Sequence, residues 1–174
     1  MNCAVVDGCL HLRAGGGGGD IITTAQFTDY ELMWEWRIAP KANNGIKYLV
    51  TESRLQTPGP EYQMVDDATM PNPLQQTATF YDVLPTQVRI PLHPPGEWNL
   101  SRLIIRGNHV EHWLNGVKVL TYELGSPEVK AAVAKSKFKN AAGFGEKIKG
   151  HILLTDHHDE VWYRNIRIRE LPPK

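Results

Sequence analysis

The residues best equipped for chemistry lie near the end of the chain, in the stretch 150–171, G-H-I-L-L-T-D-H-H-D-E-V-W-Y-R-N-I-R-I-R-E-L. His151, His157 and His158 stand beside Asp156, Asp159 and Glu160. Imidazoles close to carboxylates suit proton transfer near neutral pH or metal ligation. His151, Leu153, Thr155 and His157 alternate with Ile152, Leu154 and Asp156, as along a strand. Residues 157–160 are polar and turn-like, and alternation resumes over 161–168. The pattern predicts a hairpin that gathers two or three imidazoles and a carboxylate at one end of a sheet. The plain alternative is a surface loop that merely holds histidines.

Two further carboxylates sit on alternating strands. Glu61 opens 61–66, where Glu61, Gln63 and Val65 oppose Tyr62, Met64 and Asp66, after a turn at Thr57-Pro58-Gly59-Pro60. Glu35 lies in 30–38, where Tyr30, Leu32, Trp34, Trp36 and Ile38 form a core face and Glu31, Met33, Glu35 and Arg37 a polar one open to a ligand.

Composition sets the frame that must position these groups. The 174 residues suit one domain with a real core. Nineteen acidic and nineteen basic residues give a formal net charge of zero, which marks out no polyanion-binding face and argues against nucleic acid as a partner. No apolar run approaches the ~20 residues of a membrane span. The segment after Met1 has no basic and apolar regions of a secretory leader. Cys3 and Cys9 form no CxxC metal motif. Twelve prolines and fifteen glycines between short apolar runs indicate many turns and an all-β chain.

The remaining elements follow from periodicity. Asp7-Gly8 turns a short strand pair over 4–12, and the glycine run 15–19 reads as a flexible connector. Residues 46–50 and 79–83 read as strands, and 68–76 as a polar rim loop. A meander over 97–122 turns at Gly107-Asn108 and Asn115-Gly116, with Leu114 opposite Val117 and His112 opposite Val119. His112 shares an apolar face, so a buried, hydrogen-bonded histidine fits it as well as a ligand role. His93, among three prolines, reads as a surface histidine. The one helix expected is 126–136, with Ser126 as N-cap and Pro127 at the first helical position. One helix against nine or more strands makes an antiparallel β-sandwich with Greek-key or jelly-roll connections.

Eleven short motifs occur in a telling order: Asp20-Ile-Ile-Thr23; Tyr30-Glu-Leu with Glu35-Trp36-Arg37; Asn43-Asn44-Gly45-Ile46; Glu61-Tyr62-Gln63 with Asp66-Asp67; Gly96-Glu97-Trp98-Asn99; Glu111-His112-Trp113-Leu114-Asn115-Gly116; Ser126-Pro127; Ser136-Lys137-Phe138; Gly143-Phe144-Gly145; Gly150-His151-Ile152 with Asp156-His157; and Arg164-Asn165-Ile166. Over nearly its whole length the chain resembles the 3-keto-disaccharide hydrolase domain family of bacteria. The resemblance implies a concanavalin/laminin-G-like jelly roll, 1–174 as a single domain, and activity on glycosides oxidised to a ketone at C3. Relatives are often periplasmic or secreted. Three departures stand out. The chain starts after the family's N-terminal Gly-Trp segment, so an N-terminal strand is expected to be missing. Thr155 stands where the family has glutamine, and His158 where it has glycine.

A C3 ketone acidifies the C2 proton. A base removes it, the enolate expels the C1 group, and water adds afterwards. The route needs a base with pKa near the working pH and an electrophile at the C3 oxygen, either a divalent metal ion or Arg, Lys or His donors. His157 is the first candidate for base or metal ligand and Glu61 the second. Glu35, Asn44, Gln63, Asp67 and Lys137 are expected to bind sugar hydroxyls, and Trp113 or Tyr81 to stack on a sugar face. No HxH or HExxH spacing singles out a metal site. Two other functions fit the same fold: a non-catalytic carbohydrate-binding module, and a two-carboxylate glycoside hydrolase, for which Glu35 and Glu61 would be the pair.

Overall fold

The computed structural model describes residues 3–52 and 59–173. The expected turn at 57–60 falls partly outside the described residues. Among the described residues, eleven strands are β1 (Cys3–Val6), β2 (Cys9–Leu12), β3 (Ile21–Ile22), β4 (Tyr30–Ile38), β5 (Asn43–Val50), β6 (Glu61–Val65), β7 (Asn99–Arg106), β8 (His109–Leu114), β9 (Val117–Glu123), β10 (His151–Leu154) and β11 (Val161–Glu170). They form two antiparallel sheets, a seven-stranded one in the order β1-β2-β11-β4-β7-β8-β9 and a four-stranded one in the order β3-β10-β5-β6. The fold is the expected antiparallel jelly-roll sandwich with one short helix, α1 (Pro127–Val133).

The β4 alternation decides the packing. Trp34 and Trp36 point into the sandwich and are fully buried, as are Tyr62, Met64, Ile46 and Tyr48 from the smaller sheet. Four polar groups cross this core in one relay. The Trp36 indole donates to Ser101 Oγ at 2.8 Å, Ser101 to Tyr62 Oη at 2.8 Å, and Tyr62 to the Trp113 carbonyl at 2.9 Å. A buried indole or phenol thus finds a partner without water, which fixes how the sheets face each other. His112 belongs to a second buried network. Its Nδ1 donates to the Ala78 carbonyl at 2.9 Å, so Nε2 accepts from Tyr48 Oη at 2.8 Å, and Tyr48 also bonds Tyr122. Burial holds the imidazole neutral, pushing its pKa down to about 4. His112 is therefore a core residue.

Several expectations are corrected. β10 and β11 are not a hairpin: they belong to different sheets, so 155–160 crosses from one layer to the other. Alternation gives the strand period and not the strand's partner. His112 pairs with Leu120 and not Val119, because a bulge between His112 and Trp113 shifts the register. Residues 79–83 form no strand; Phe80 makes isolated bridges to Tyr62 and Leu84. The glycine run is no free connector, because Gly15 N donates to the His158 carbonyl at 2.9 Å and Gly19 N to Asp156 Oδ2 at 3.1 Å. The helix ends at Val133, three residues short of Ser136, but its cap is as expected: Ser126 Oγ accepts from Val129 N at 3.2 Å.

Candidate active site

The outer surface of the four-stranded sheet is built from the residues that alternate with the core. Tyr62 and Met64 point inward, so Glu61 and Gln63 point outward. On the neighbouring strand Asn43, Gly45 and Lys47 pair with Val65, Gln63 and Glu61. Gly45 matters most. A Cβ there would lie 2.1 Å from Glu61 Oε1 and 2.8 Å from its Cδ. The Glu61 side chain therefore lies along the sheet in the space a side chain at 45 would fill. Glycine inside a strand commonly marks such a close approach.

The crossover 155–160 brings His157 over that carboxylate. Thr155 holds the crossover to the sheet: its N–H and Oγ donate to the Gly45 carbonyl, each at 3.1 Å. The Asn43 N–H donates to Asp159 Oδ2 at 2.8 Å further along. His157 Nε2 then stands 3.9 Å from Glu61 Oε1, with the imidazole 44% exposed and the carboxylate 7%. The separation is too long for a direct hydrogen bond and short enough for electrostatic coupling. An exposed base above a buried anion can take a proton from a bound molecule while the anion stabilises the imidazolium.

A rim is tied to the same strand. Tyr81 N donates to the Glu61 carbonyl at 3.1 Å. The Lys137 ammonium sits 4.2 Å from the Tyr81 ring centre, and its backbone N–H donates to Asp82 Oδ2 at 2.8 Å. Among the described residues no carboxylate lies within ion-pair distance of that ammonium. Gln63 Nε2 donates to Asn43 Oδ1 at 3.0 Å and to the Gln75 carbonyl at 3.3 Å, which anchors the rim loop.

The other expected site residues lie elsewhere. Glu35 projects from the outer face of the seven-stranded sheet, since Trp34 and Trp36 fill its inner face. Arg164 reaches it at 2.6 Å and Asn165 at 2.5 Å. The Asn165 hydrogen bond, then that of Arg164, hold its carboxyl below the usual range. Glu35 and Glu61 thus sit on opposite outer faces, with two sheets of roughly 10 Å spacing between them, and do not flank one cleft. Trp113 shares the Glu35 side of the molecule, with the Arg102 guanidinium 5.2 Å from its ring centre. Asn44 points into the sandwich and is fully buried; its Oδ1 accepts from Tyr163 Oη at 2.7 Å and Thr155 Oγ1 at 3.2 Å. Asn44 therefore braces the strand under the site without facing a ligand. Asp67 accepts from Thr77 N at 2.8 Å, and burial raises its pKa. It lines a separate cavity of about 180 Å³ with Gln76, Thr77 and Arg89. His151 is buried at the far end of β10 against the Thr23 carbonyl and Gln26, away from His157.

Sequence reasoning gave no site role to Asn43 or Gly45, which it met only inside the Asn43-Asn44-Gly45-Ile46 motif, and placed Asp159 only in the polar turn after His157. An isolated glycine within a strand was the available signal for Gly45. Among the described residues, no three of His, Cys, Asp and Glu converge as a metal-ligand group.

The model of the 3-keto-alpha-glucoside-1,2-lyase-like domain matches residues 2–169. The chain belongs to that family. It is 31% identical to the 3-keto-disaccharide hydrolase of Bacteroides thetaiotaomicron, over 96% of this chain and 69% of that protein. A candidate glycosyl hydrolase of Parabacteroides distasonis superposes with a TM-score of 0.89 at 28% identity, covering 99% of this chain and 84% of that one. A carbohydrate-binding module of Bacillus subtilis shares the fold alone, with a TM-score of 0.58 at 8% identity, over 97% of this chain and 91% of that one. No helix among the described residues is long and apolar enough to cross a membrane.

Proposed function

We propose that residues 1–174 act as one β-sandwich domain that processes 3-keto-glycosides by elimination and hydration. Family membership and the names of the relatives support glycoside processing. The observation that carries the finer reading is the exposed His157 imidazole 3.9 Å from the buried Glu61 carboxylate.

His157 takes the C2 proton of the bound sugar. The C–H electron pair forms the C2–C3 double bond of an enolate, with negative charge on the C3 oxygen. Glu61 stabilises the imidazolium that results. The Lys137 ammonium, seated on the Tyr81 ring at the rim, is the donor for the enolate oxygen. The enolate then re-forms the ketone, a C1–C2 double bond appears, and the C1–O bond breaks. The imidazolium returns its proton to the leaving oxygen. Water adds across C1–C2, its hydroxyl to C1 and its proton to C2, which completes a net hydrolysis. Gln63, expected to bind a sugar hydroxyl, is instead buried and gives its amide to Asn43 and the Gln75 carbonyl, which braces the sheet beside Glu61. The two-carboxylate alternative loses its pair, because Glu35 and Glu61 stand on opposite faces. A non-catalytic sugar-binding module remains the competing function.

The test is sugar release from a 3-keto-disaccharide and from its unoxidised parent, each with and without a chelator, by the native chain and by His157→Gln and Glu61→Gln. Release from the keto form alone, lowered about 10²-fold or more by His157→Gln, is expected. Release from the parent would point to a conventional glycosidase. Sugar binding without release from either would make the domain a binding module. Chelator sensitivity would bring a metal ion into the reaction.

A further inference from the structure

The turn that carries His157 is held from two sides. On one side it is bonded to the four-stranded sheet through Thr155 and Asp159. On the other it is wrapped by the glycine run. Gly15 N donates to the His158 carbonyl at 2.9 Å, Gly19 N to Asp156 Oδ2 at 3.1 Å, and Asp156 N to Asp20 Oδ1 at 2.8 Å. Asp156 Oδ1 in turn accepts from His158 N at 3.0 Å, which closes the turn on itself.

Within this assembly one contact leaves no room for a side chain at Gly16. His158 has φ +67°, a left-handed conformation uncommon for a residue with a Cβ. It lays its ring on the backbone of Gly16. A Cβ at Gly16 would fall 1.4 Å from His158 Nδ1 and 2.3 Å from its Cγ. Gly16 is buried, whereas Gly15 and Gly17 on either side are exposed. His157 is itself 44% exposed. Its own packing therefore fixes it weakly, and the backbone next door must do so.

We propose that the Gly16–His158 contact is a latch that sets the His157 imidazole over Glu61, which makes His158 and Gly16 positioning residues; this rests on His157 acting as the base. The glycine run then serves as a fitted seat for a side chain from near the other end of the chain, and a flexible tether of any composition would not replace it.

The test is a double-mutant cycle of Gly16→Ala, His158→Gly and the pair, read in two ways. The first is kcat and KM on a 3-keto-disaccharide. The second is the His157 imidazole resonance in isotope-labelled protein, assigned by its loss in His157→Gln. Gly16→Ala should lower kcat about 10- to 100-fold with KM changed little, because it misplaces a reacting group by about an ångström. It should also shift the His157 resonance. His158→Gly removes the ring and with it the latch, so it should itself lower kcat and shift the His157 resonance. Adding Gly16→Ala to it should then change both little, since the new Cβ meets no ring and only the strain of an alanine at φ +59° is left. The proposal is overturned if Gly16→Ala or His158→Gly leaves the His157 resonance in place, or if the effects of the two substitutions simply add in the pair. A native chain without turnover would sink the catalytic reading, while the resonance cycle would still decide the latch.

Discussion

Gly45→Ala tests the site through a residue that carries no chemistry of its own. The new Cβ would stand 2.1 Å from Glu61 Oε1, where ordinary contact begins near 3.4 Å, so the oxygen must move by 3.4 − 2.1, about 1.3 Å. Glu61 Cδ at 2.8 Å and Cγ at 2.9 Å are also too close. Turning the carboxylate about its last bond is therefore insufficient, and the side chain must leave from Cγ outward. Leaving a favoured rotamer costs about 0.5–1.5 kcal/mol and overpacking about 1–3 kcal/mol. Alanine gains back about 0.5–1 kcal/mol over glycine in a strand. The net loss is about 0.5–4 kcal/mol, a fall in Tm of roughly 1–16 °C for a chain of this size. The effect on rate is larger. A displacement of about an ångström can cost about 10²-fold, close to 2.7 kcal/mol in the barrier. We expect kcat on a 3-keto-disaccharide to drop by one to two orders of magnitude in a chain that still unfolds cooperatively by calorimetry. In a Glu61→Ala background the clash is gone, so Gly45→Ala should there cost little further stability, a coupling of about 1 kcal/mol or more. A folded Gly45→Ala chain with native kcat would show that the Glu61 position does not govern turnover, and an equal destabilisation with and without the Glu61 side chain would show that the two residues do not meet.

Two further outcomes follow from groups outside the site. His112 has a folded pKa of about 4 against 6.5 for the free side chain. Its folded value is depressed, so its contribution is fully present above pH ~6.5 and is lost as pH falls from there toward 4, where the unfolded chain binds the extra proton. The integrated loss is at most about 3 kcal/mol. It is measured as the fall in urea midpoint between pH 7.5 and 4.5, which should be shallower in His112→Gln; a variant that keeps the full acid sensitivity would contradict the assignment. Glu35→Gln should leave kcat within about twofold, because its carboxylate braces Arg164 and Asn165 on the opposite face. A loss comparable to that of Glu61→Gln would restore the two-carboxylate reading.

The periodic parts of this molecule are set by neighbours along the chain. Alternating tryptophans in 30–38, Asn115-Gly116 between β8 and β9, and Ser126-Pro127 before α1 each encode a local geometry that neighbours along the chain suffice to set. The motif order that reveals the family was legible for the same reason, and with it His157 and Glu61 as a pair to examine. Which strands share a sheet depends on contacts between distant parts of the chain. Period two says which side chains share a face and nothing of which layer the strand enters. That is why 150–171 reads as a hairpin yet divides between two sheets, and why Glu35, on a strand as regular as that of Glu61, lies on the far side of the sandwich. Asn44 and Asn43 differ by one position, and the pleat alone sends one into the core and leaves the other beside Gln63. Gly45 and Gly16 carry no side chain to announce their roles. Their importance is the space they leave for Glu61 and His158, and that space exists only once distant parts of the chain have been brought together.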